Sequence, residues 1–174
     1  VIDTGDMIIV RDSDGSGVRT YVESYTTGDR AFGDFGDVII YDPYGYDYPV
    51  PVVHRAMLRL ERNVTTERYD VPSLAKLPME KWGNGDYSDG RWWNLEGFIE
   101  IYDIGRHGAT LRIDLTEMLS YYEDVGRIHD GLITMGDNNV FYVNGEWGAM
   151  YDQMPLGLCR SAIKDEGIIG EASL

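Results

Sequence analysis

The sequence predicts a mainly β fold in a single domain, and three observations carry this prediction. The chain has 174 residues, which is long enough for one domain with a hydrophobic core and short for two domains. Its hydrophobic content of 43% and aromatic content of 12% exclude wholesale disorder. The 21 glycines and 13 tyrosines, together with many Val and Ile residues, favour strands and tight turns over helices.

Strands are expected where short apolar runs end at turn-forming residues. The first part of the chain contains four such runs, at 7–10, 18–26, 37–41 and 52–60. Pro43 closes the third run, because proline cannot continue a ladder of hydrogen bonds. The C-terminal part predicts two more strands, at 132–135 and 166–172.

Residues at about 61–131 are expected to form a variable insertion on the surface. Pro72 and Pro78 make its first part irregular. A hairpin should follow, with strands at 97–104 and 109–113. The chain then predicts one short helix, because Asp114 and Glu117 have the spacing of a capping box and Leu115, Met118, Leu119 and Tyr122 recur on one face.

The net charge of −15 excludes some classes of function. Nucleic-acid binding requires a basic surface, and so does docking on anionic lipid through protein charge. Only three of the fifteen cationic residues are lysines. This acidic, lysine-poor composition favours a salt-adapted protein, in which screening removes self-repulsion, over an ordinary acidic domain.

The chain offers few candidates for nucleophilic or acid–base chemistry. His54 could act as a general base, since a neutral imidazole takes up a proton near pH 7, although its position at the start of a strand taken alone favours a structural histidine. His107 and His129 are expected at the surface. Cys159 cannot form an internal disulfide, because it is the single cysteine, and we expect an inert buried thiol.

Two aspartates are candidates for orienting a histidine. A carboxylate that accepts a hydrogen bond from one ring nitrogen fixes the tautomer of the imidazole. Asp137 lies in Gly136-Asp137-Asn138-Asn139 and Asp152 in Tyr151-Asp152-Gln153. With 30 acidic residues in the chain, composition alone selects neither. The residue types of the first motif also fit a simple turn.

One acidic segment has the spacing of a calcium-binding loop. Its oxygen ligands would come from Asp12, Asp14, Ser16 and Glu23, with Gly17 at the turn. An EF-hand needs a helix on each side, whereas these flanks predict strands. A polar hairpin turn is therefore favoured, and a calcium-binding extracellular β module remains an alternative. We expect no cofactor and no metal site elsewhere.

Five short motifs follow one another along the chain. They are Gly5-Asp6 with its following strand, Gly36-Asp37 with its following strand, Val53-His54-Arg55, Gly136-Asp137-Asn138-Asn139, and the closing Ile168-Ile169-Gly170. No single motif is specific. Together and in this order they resemble signal peptidase I of the archaeal and endoplasmic-reticulum type, and are closest to versions from salt-loving archaea.

The resemblance implies a serine endopeptidase that removes signal peptides from exported preproteins, built as a compact, partly closed antiparallel β-sheet assembly. His54 takes the place of the general base. The family uses one acid in the Gly-Asp-Asn-Asn motif, here Asp137, and another about six residues later, which here is Val143. If 140–150 is an inserted hairpin turning at Asn144-Gly145, Asp152 fills that second place and orients His54.

The family's nucleophilic serine lies in a Ser-Met-x-Pro motif shortly before the first Gly-Asp. No serine here has that setting, so the resemblance implies a serine upstream of Val1 and an inactive chain as given. It also implies a membrane anchor outside this chain, at the outer face of the cytoplasmic membrane, with signal peptides as partners. The alternative is a catalytically dead paralogue that binds peptides or a partner subunit.

Overall fold

A computed structural model describes residues 9–11, 17–41, 51–85, 89–124, 130–152 and 168–173. It is mainly β, with antiparallel pairing dominant, as the sequence predicts. In chain order the strands are β1 (Ile9–Arg11), β2 (Arg30–Ala31), β3 (Asp34–Phe35), β4 (Val38–Tyr41), β5 (Val52–Asn63), β6 (Arg68–Asp70), β7 (Trp82–Asn84), β8 (Phe98–Ile104), β9 (Ala109–Asp114), β10 (Gly131–Met135), β11 (Val140–Val143), β12 (Glu146–Ala149) and β13 (Ile168–Ser173).

The strands form two main sheets. The first has the order β1-β13-β4-β5-β10, and β6 also pairs with the long strand β5. The second has the order β11-β12-β9-β8-β7, in which only β12 and β9 run parallel. Strands β2 and β3 make a small hairpin of their own.

The segment 18–26, predicted as a strand, is instead mostly helical. Helix α1 (Tyr21–Thr27) begins at a capping box: Thr20 Oγ1 accepts from the Glu23 backbone, and Glu23 Oε2 accepts from the Thr20 backbone at 2.8 Å. Gly28 ends the helix in the left-handed conformation, at φ 84°. Local capping therefore outweighs the β-branched residues that suggested a strand.

Helix α2 (Leu115–Asp124) confirms the helix that the sequence predicts, so the described residues contain two α-helices where one was expected. Asp114 Oδ1 accepts from the Thr116 backbone at 3.0 Å, as a cap should. Leu115, Met118 and Leu119 are buried, in agreement with the apolar face.

The described part of residues 61–131 does not lie at the surface as expected, because it supplies much of the main core. Two 3₁₀ helices (Pro72–Lys76 and Met79–Lys81) and strands β6 to β9 lie in this region. Its fully buried side chains include Tyr69, Val71, Leu74, Ile99, Leu111 and Ile113, which pack with Met57, Leu58 and Ile133 of the first sheet. The irregular sequence hides these contributions, since single apolar residues in short elements give no periodic pattern.

The opposite face of the first sheet holds a smaller apolar cluster. It consists of Val18, Ile39, Tyr41, Ala56 and Leu132, with Val52 packed against it. The candidate site lies at the end of this cluster, where β4, β5 and β10 meet the segment that follows β10.

Candidate active site

His54 and Arg55 are neighbours on β5 and take different partners. Successive side chains of a strand point to opposite faces, so the two cannot share one carboxylate easily. His54 lies opposite Ile39 of β4, on the face of the smaller cluster. Arg55 lies opposite Val38 and Met135, on the other face.

The structure brings His54 and Asp152 together. His54 Nδ1 lies 2.5 Å from Asp152 Oδ2, and the Asp152 side chain is only 3% exposed. The imidazole itself is 27% exposed, so one edge of the ring reaches solvent. Because the carboxylate is buried against Nδ1, the other ring nitrogen, Nε2, is the one available for chemistry.

The hairpin formed by β11 and β12 explains how Asp152 reaches this position. Its turn residues Asn144 and Gly145 have φ values of 54° and 92°, the positive values that a tight hairpin turn requires. The Met150 backbone donates to the Asn139 carbonyl, and the Asp152 backbone to the Thr134 carbonyl, each at 2.9 Å. The chain thus leaves β10, completes the hairpin predicted for 140–150, and returns beside β10.

Asp137 does not contact His54; it pairs with Arg55. Arg55 Nε donates to Oδ1 at 2.8 Å and Nη2 to Oδ2 at 2.7 Å, a bidentate pair. Arg55 is 1% exposed, and its Nη1 donates to the carbonyls of Ala31, Phe35 and Gly36 at 2.9, 3.1 and 2.7 Å. The pair therefore ties the segment that precedes β4 to the Gly136-Asp137 turn.

Gly136 lies against the free edge of the imidazole. A Cβ atom at this position would come within 2.8 Å of His54 Nε2 and 3.1 Å of Asn139 Oδ1. Glycine therefore leaves the room that Nε2 needs. A cleft of about 180 Å³ opens here. It is lined by Phe32, Val38, Val53, His54, Arg55, Gly136, Asp137, Asn138 and Asn139.

Two hydroxyl groups that the sequence did not single out complete the surroundings of Asp152. Thr134 Oγ1 donates to Oδ2 at 2.6 Å, and Tyr41 OH donates to the same oxygen at 3.1 Å. Burial, and then the charge of Asp152, raises the pKa of Tyr41 well above its usual range, so this hydroxyl keeps its proton. Only the alternation of side chains along β4 and β10 could have indicated these two residues in advance.

The other candidates lie apart from this site or outside the described residues. His107 sits in the exposed β8–β9 turn, where its ring stacks on Trp147 at 4.2 Å between centroids. His129 and Cys159 lie outside the described residues, as do Asp12, Asp14 and Ser16 of the calcium-loop spacing. Glu23, the last ligand in that spacing, caps helix α1. Within the described ranges no group of three or more His, Cys, Asp or Glu side chains could hold a metal ion.

Among the described residues, no helix combines the length and the apolar character needed to cross a membrane. Compared with protein-family models, with curated proteins and with solved structures, the chain matches none.

Proposed function

We propose that this chain is the catalytic domain of a serine endopeptidase that removes signal peptides from exported preproteins, of the archaeal and endoplasmic-reticulum signal peptidase I type. We also propose that its sheets form a partly closed β assembly of that type. It rests on the order of motifs along the sequence and on one observation, the His54–Asp152 contact at 2.5 Å beside an open cleft.

The chemistry follows from the tautomer that this contact favours. A carboxylate at Nδ1 accepts a hydrogen bond from the ring N–H there, which leaves a lone pair on Nε2. A serine hydroxyl presented at the cleft would transfer its proton to Nε2 while its oxygen attacks the scissile carbonyl. The imidazolium would then give that proton to the leaving amine, and water would hydrolyse the acyl-enzyme with His54 again acting as base.

Asp152 and Asp137 have separate tasks in this scheme. Asp152 orients His54 and stabilises the imidazolium. Asp137 supports the site indirectly, because with Arg55 it fixes the wall of the cleft that carries Phe32. The scheme requires a nucleophilic serine in a Ser-Met-x-Pro segment, and no serine of the printed sequence has that setting.

An extended peptide has a place to bind beside the cleft. Strand β11 begins at Val140, directly after the cleft residue Asn139, and within the described ranges no strand pairs with its outer edge. It contains neither proline nor lysine, the residues that commonly protect an edge, and Phe141 and Tyr142 are exposed. A preprotein could therefore add as a strand here and lead its scissile bond into the cleft.

We place the protein at the outer face of the cytoplasmic membrane, held by an anchor outside this chain. Substrates would meet it there as they emerge. The net charge of −15 keeps anionic lipid and nucleic acid away from its surface. Signal peptides would then be held by strand pairing and apolar contacts.

The direct test joins a Ser-Met-x-Pro segment ahead of Val1 and measures preprotein cleavage in high salt. We expect cleavage after the signal peptide, and loss of it both when the serine is changed to Ala and in His54→Ala. His107→Ala is the matched control, because His107 lies in the exposed β8–β9 turn with its ring stacked on Trp147, and it should cleave normally.

Two results would count against the proposal. Cleavage that persists in His54→Ala would remove His54 as the base. A folded, serine-containing chain that binds a signal peptide without cleaving it would instead favour the dead paralogue.

A further inference from the structure

Three donors converge on one oxygen of the Asp152 carboxylate. Oδ2 lies 2.5 Å from His54 Nδ1, 2.6 Å from Thr134 Oγ1 and 3.1 Å from Tyr41 OH. The other oxygen, Oδ1, has a weaker contact with Asn139 Nδ2 at 3.4 Å. The orientation of this carboxylate is therefore set mainly through Oδ2, the atom that faces the histidine.

A β-bulge in β5 brings His54 to the face of Thr134. In the pairing of β10 with β5, Ile133 lies opposite Leu58 but Thr134 lies opposite Ala56, so Met57 is the additional residue. Strand β10 alternates regularly and puts Thr134 on the face of the smaller cluster. Without the additional residue, alternation from the buried Leu58 would put Ala56 and His54 on the face of the main core. The bulge instead puts both on the face of Thr134, which is a recurrent use of bulges near active sites.

The two hydroxyls do not have equal roles, because each carries a single proton. Thr134 makes the shorter contact and donates its proton to Asp152. Tyr41 OH lies 3.0 Å from Thr134 Oγ1 and 3.1 Å from Asp152 Oδ2, so its proton is shared between them. The geometry gives a direction: Tyr41 donates towards Thr134, and Thr134 donates to Asp152.

Among the described residues, few other polar groups on this face could hold the Asp152 carboxylate. Thr134 is 0% exposed and Tyr41 is 1% exposed. Ile39, Ala56 and Leu132 pack on the same face and carry no polar side chain. Arg55, which lies on the opposite face of β5, donates to Asp137. Thr134 and Tyr41 are therefore the fully buried donors that hold this carboxylate.

We propose that Thr134 is a positioning residue, which aims Asp152 Oδ2 at His54 Nδ1. Tyr41 acts indirectly, through Thr134, because its hydroxyl fixes the direction of the Thr134 hydroxyl. For catalysis the inference rests on the proposed function, but the hydrogen-bond arrangement itself can be tested without a nucleophile.

The test is proton NMR of this chain, following the ring Nδ1 proton of His54, with the signal assigned by its loss in His54→Gln. In Thr134→Val, which keeps the shape and removes the donor, the signal should move upfield and exchange faster with water. Thr134→Ser should restore both properties. Tyr41→Phe should give a change in the same direction that is smaller than that of Thr134→Val.

A purely structural role for Thr134 would give a different pattern. Unfolding midpoints would then fall in Thr134→Val while the Nδ1 proton kept its shift and exchange rate in the folded protein, and that result overturns the inference. A larger effect from Tyr41→Phe than from Thr134→Val overturns the proposed direction. If Thr134→Val does not fold, Thr134→Ala and Tyr41→Phe take its place, and an unchanged Nδ1 proton in both overturns the inference.

The serine-containing chain gives a second readout. There, Thr134→Val should lower kcat roughly tenfold with KM nearly unchanged, the size expected for one lost hydrogen bond to a charged group. If that chain does not cleave at all while the Nδ1 proton responds as expected, the proposed function fails and the arrangement of Thr134 stands. If cleavage occurs and both kcat and the Nδ1 proton are unchanged in Thr134→Val, the inference alone fails.

Discussion

His54 and Arg55 are adjacent on β5, and each holds a different aspartate on a different face of the sheet. His54 takes the buried Asp152, and Arg55 takes Asp137 at the rim of the cleft. Strand alternation alone produces this separation. It assigns the two carboxylates to different tasks, and these tasks can be distinguished by mutation.

Exchanging each aspartate for its amide should separate catalysis from stability. In the serine-containing chain, Asp152→Asn should lower kcat/KM by roughly 10³- to 10⁴-fold, because an amide can hold the wrong tautomer of His54. Asp137→Asn should leave more than a tenth of the activity. It should nevertheless lower the unfolding free energy, since the buried Arg55 loses its charged partner.

The measurements for this pair of variants are initial rates and chemical denaturation, both at one salt concentration. An equal loss of activity in the two variants would contradict the separation of tasks, because only Asp152 contacts the imidazole of His54. Full activity in Asp152→Asn would contradict it as well.

Arg55→Lys tests how much the bidentate pair of Arg55 with Asp137 contributes to the unfolding free energy. Lysine cannot reproduce two parallel bonds to Asp137 and, at the same time, bonds to the carbonyls of Ala31 and Gly36. We expect a loss of about 3 kcal/mol in unfolding free energy, a size typical of a broken buried ion pair.

Arg62→Lys is the matched control for that experiment. Arg62 lies on the same strand and also makes a bidentate pair, with Glu67, but both side chains are substantially exposed. Its replacement should cost less than about 1 kcal/mol. Equal losses in the two variants would mean that burial does not strengthen the Arg55 pair.

Much of the candidate site could be predicted from sequence, and the strand positions explain why. The apolar run at 52–60 and the hairpin turn at Asn144-Gly145 are strong local signals, and together they bring Asp152 to His54. The role of Arg55 could not be predicted, because it depends on four backbone carbonyls that only the folded segment 31–36 brings together.

The errors of prediction also have physical causes. Val18, Thr20 and Val22 suggest a strand, but the reciprocal bonds of Thr20 and Glu23 start a helix there. His54 shares a face with Thr134 because of a bulge at Met57, and nothing in the sequence of β5 marks that residue as the additional one. Tertiary pairing, not local preference, decides such features.

Gly136→Ala should damage the site while sparing the fold. The new Cβ would lie 2.8 Å from His54 Nε2, so the imidazole must move away from its position beside the cleft. In the serine-containing chain we expect at least a roughly tenfold fall in kcat/KM, equivalent to about 1.4 kcal/mol, with the unfolding midpoint changed little. Gly17→Ala is the control, because a Cβ there would meet nothing within 4 Å. Unchanged kinetics in Gly136→Ala would show that the ring tolerates the displacement.

Alkaline pH should destabilise the protein through buried tyrosines, and Tyr69 allows this to be tested. Burial, and then the charge of Asp130, raises the pKa of Tyr69 well above its usual range, and burial raises the pKa of Tyr21 to about 12. Above about pH 10 the unfolded chain releases these protons while the folded protein retains them. Stability is therefore fully present below about pH 10 and is lost as the pH rises through the folded values, by about 1.4 kcal/mol per pH unit for each such tyrosine.

Tyr69→Phe should make the unfolding free energy fall less steeply with pH, because one of the buried tyrosines no longer titrates. Tyr69 is 0% exposed, and its hydroxyl has no hydrogen-bond partner among the described residues, so the replacement should cost less than about 1 kcal/mol at about pH 7. Denaturant unfolding at several pH values between about 9 and 11, which bracket the ordinary tyrosine pKa, measures the slope, with the exposed Tyr142→Phe as control. Equal slopes in Tyr69→Phe and the unmodified chain would show that the Tyr69 hydroxyl ionises equally in the folded and unfolded states.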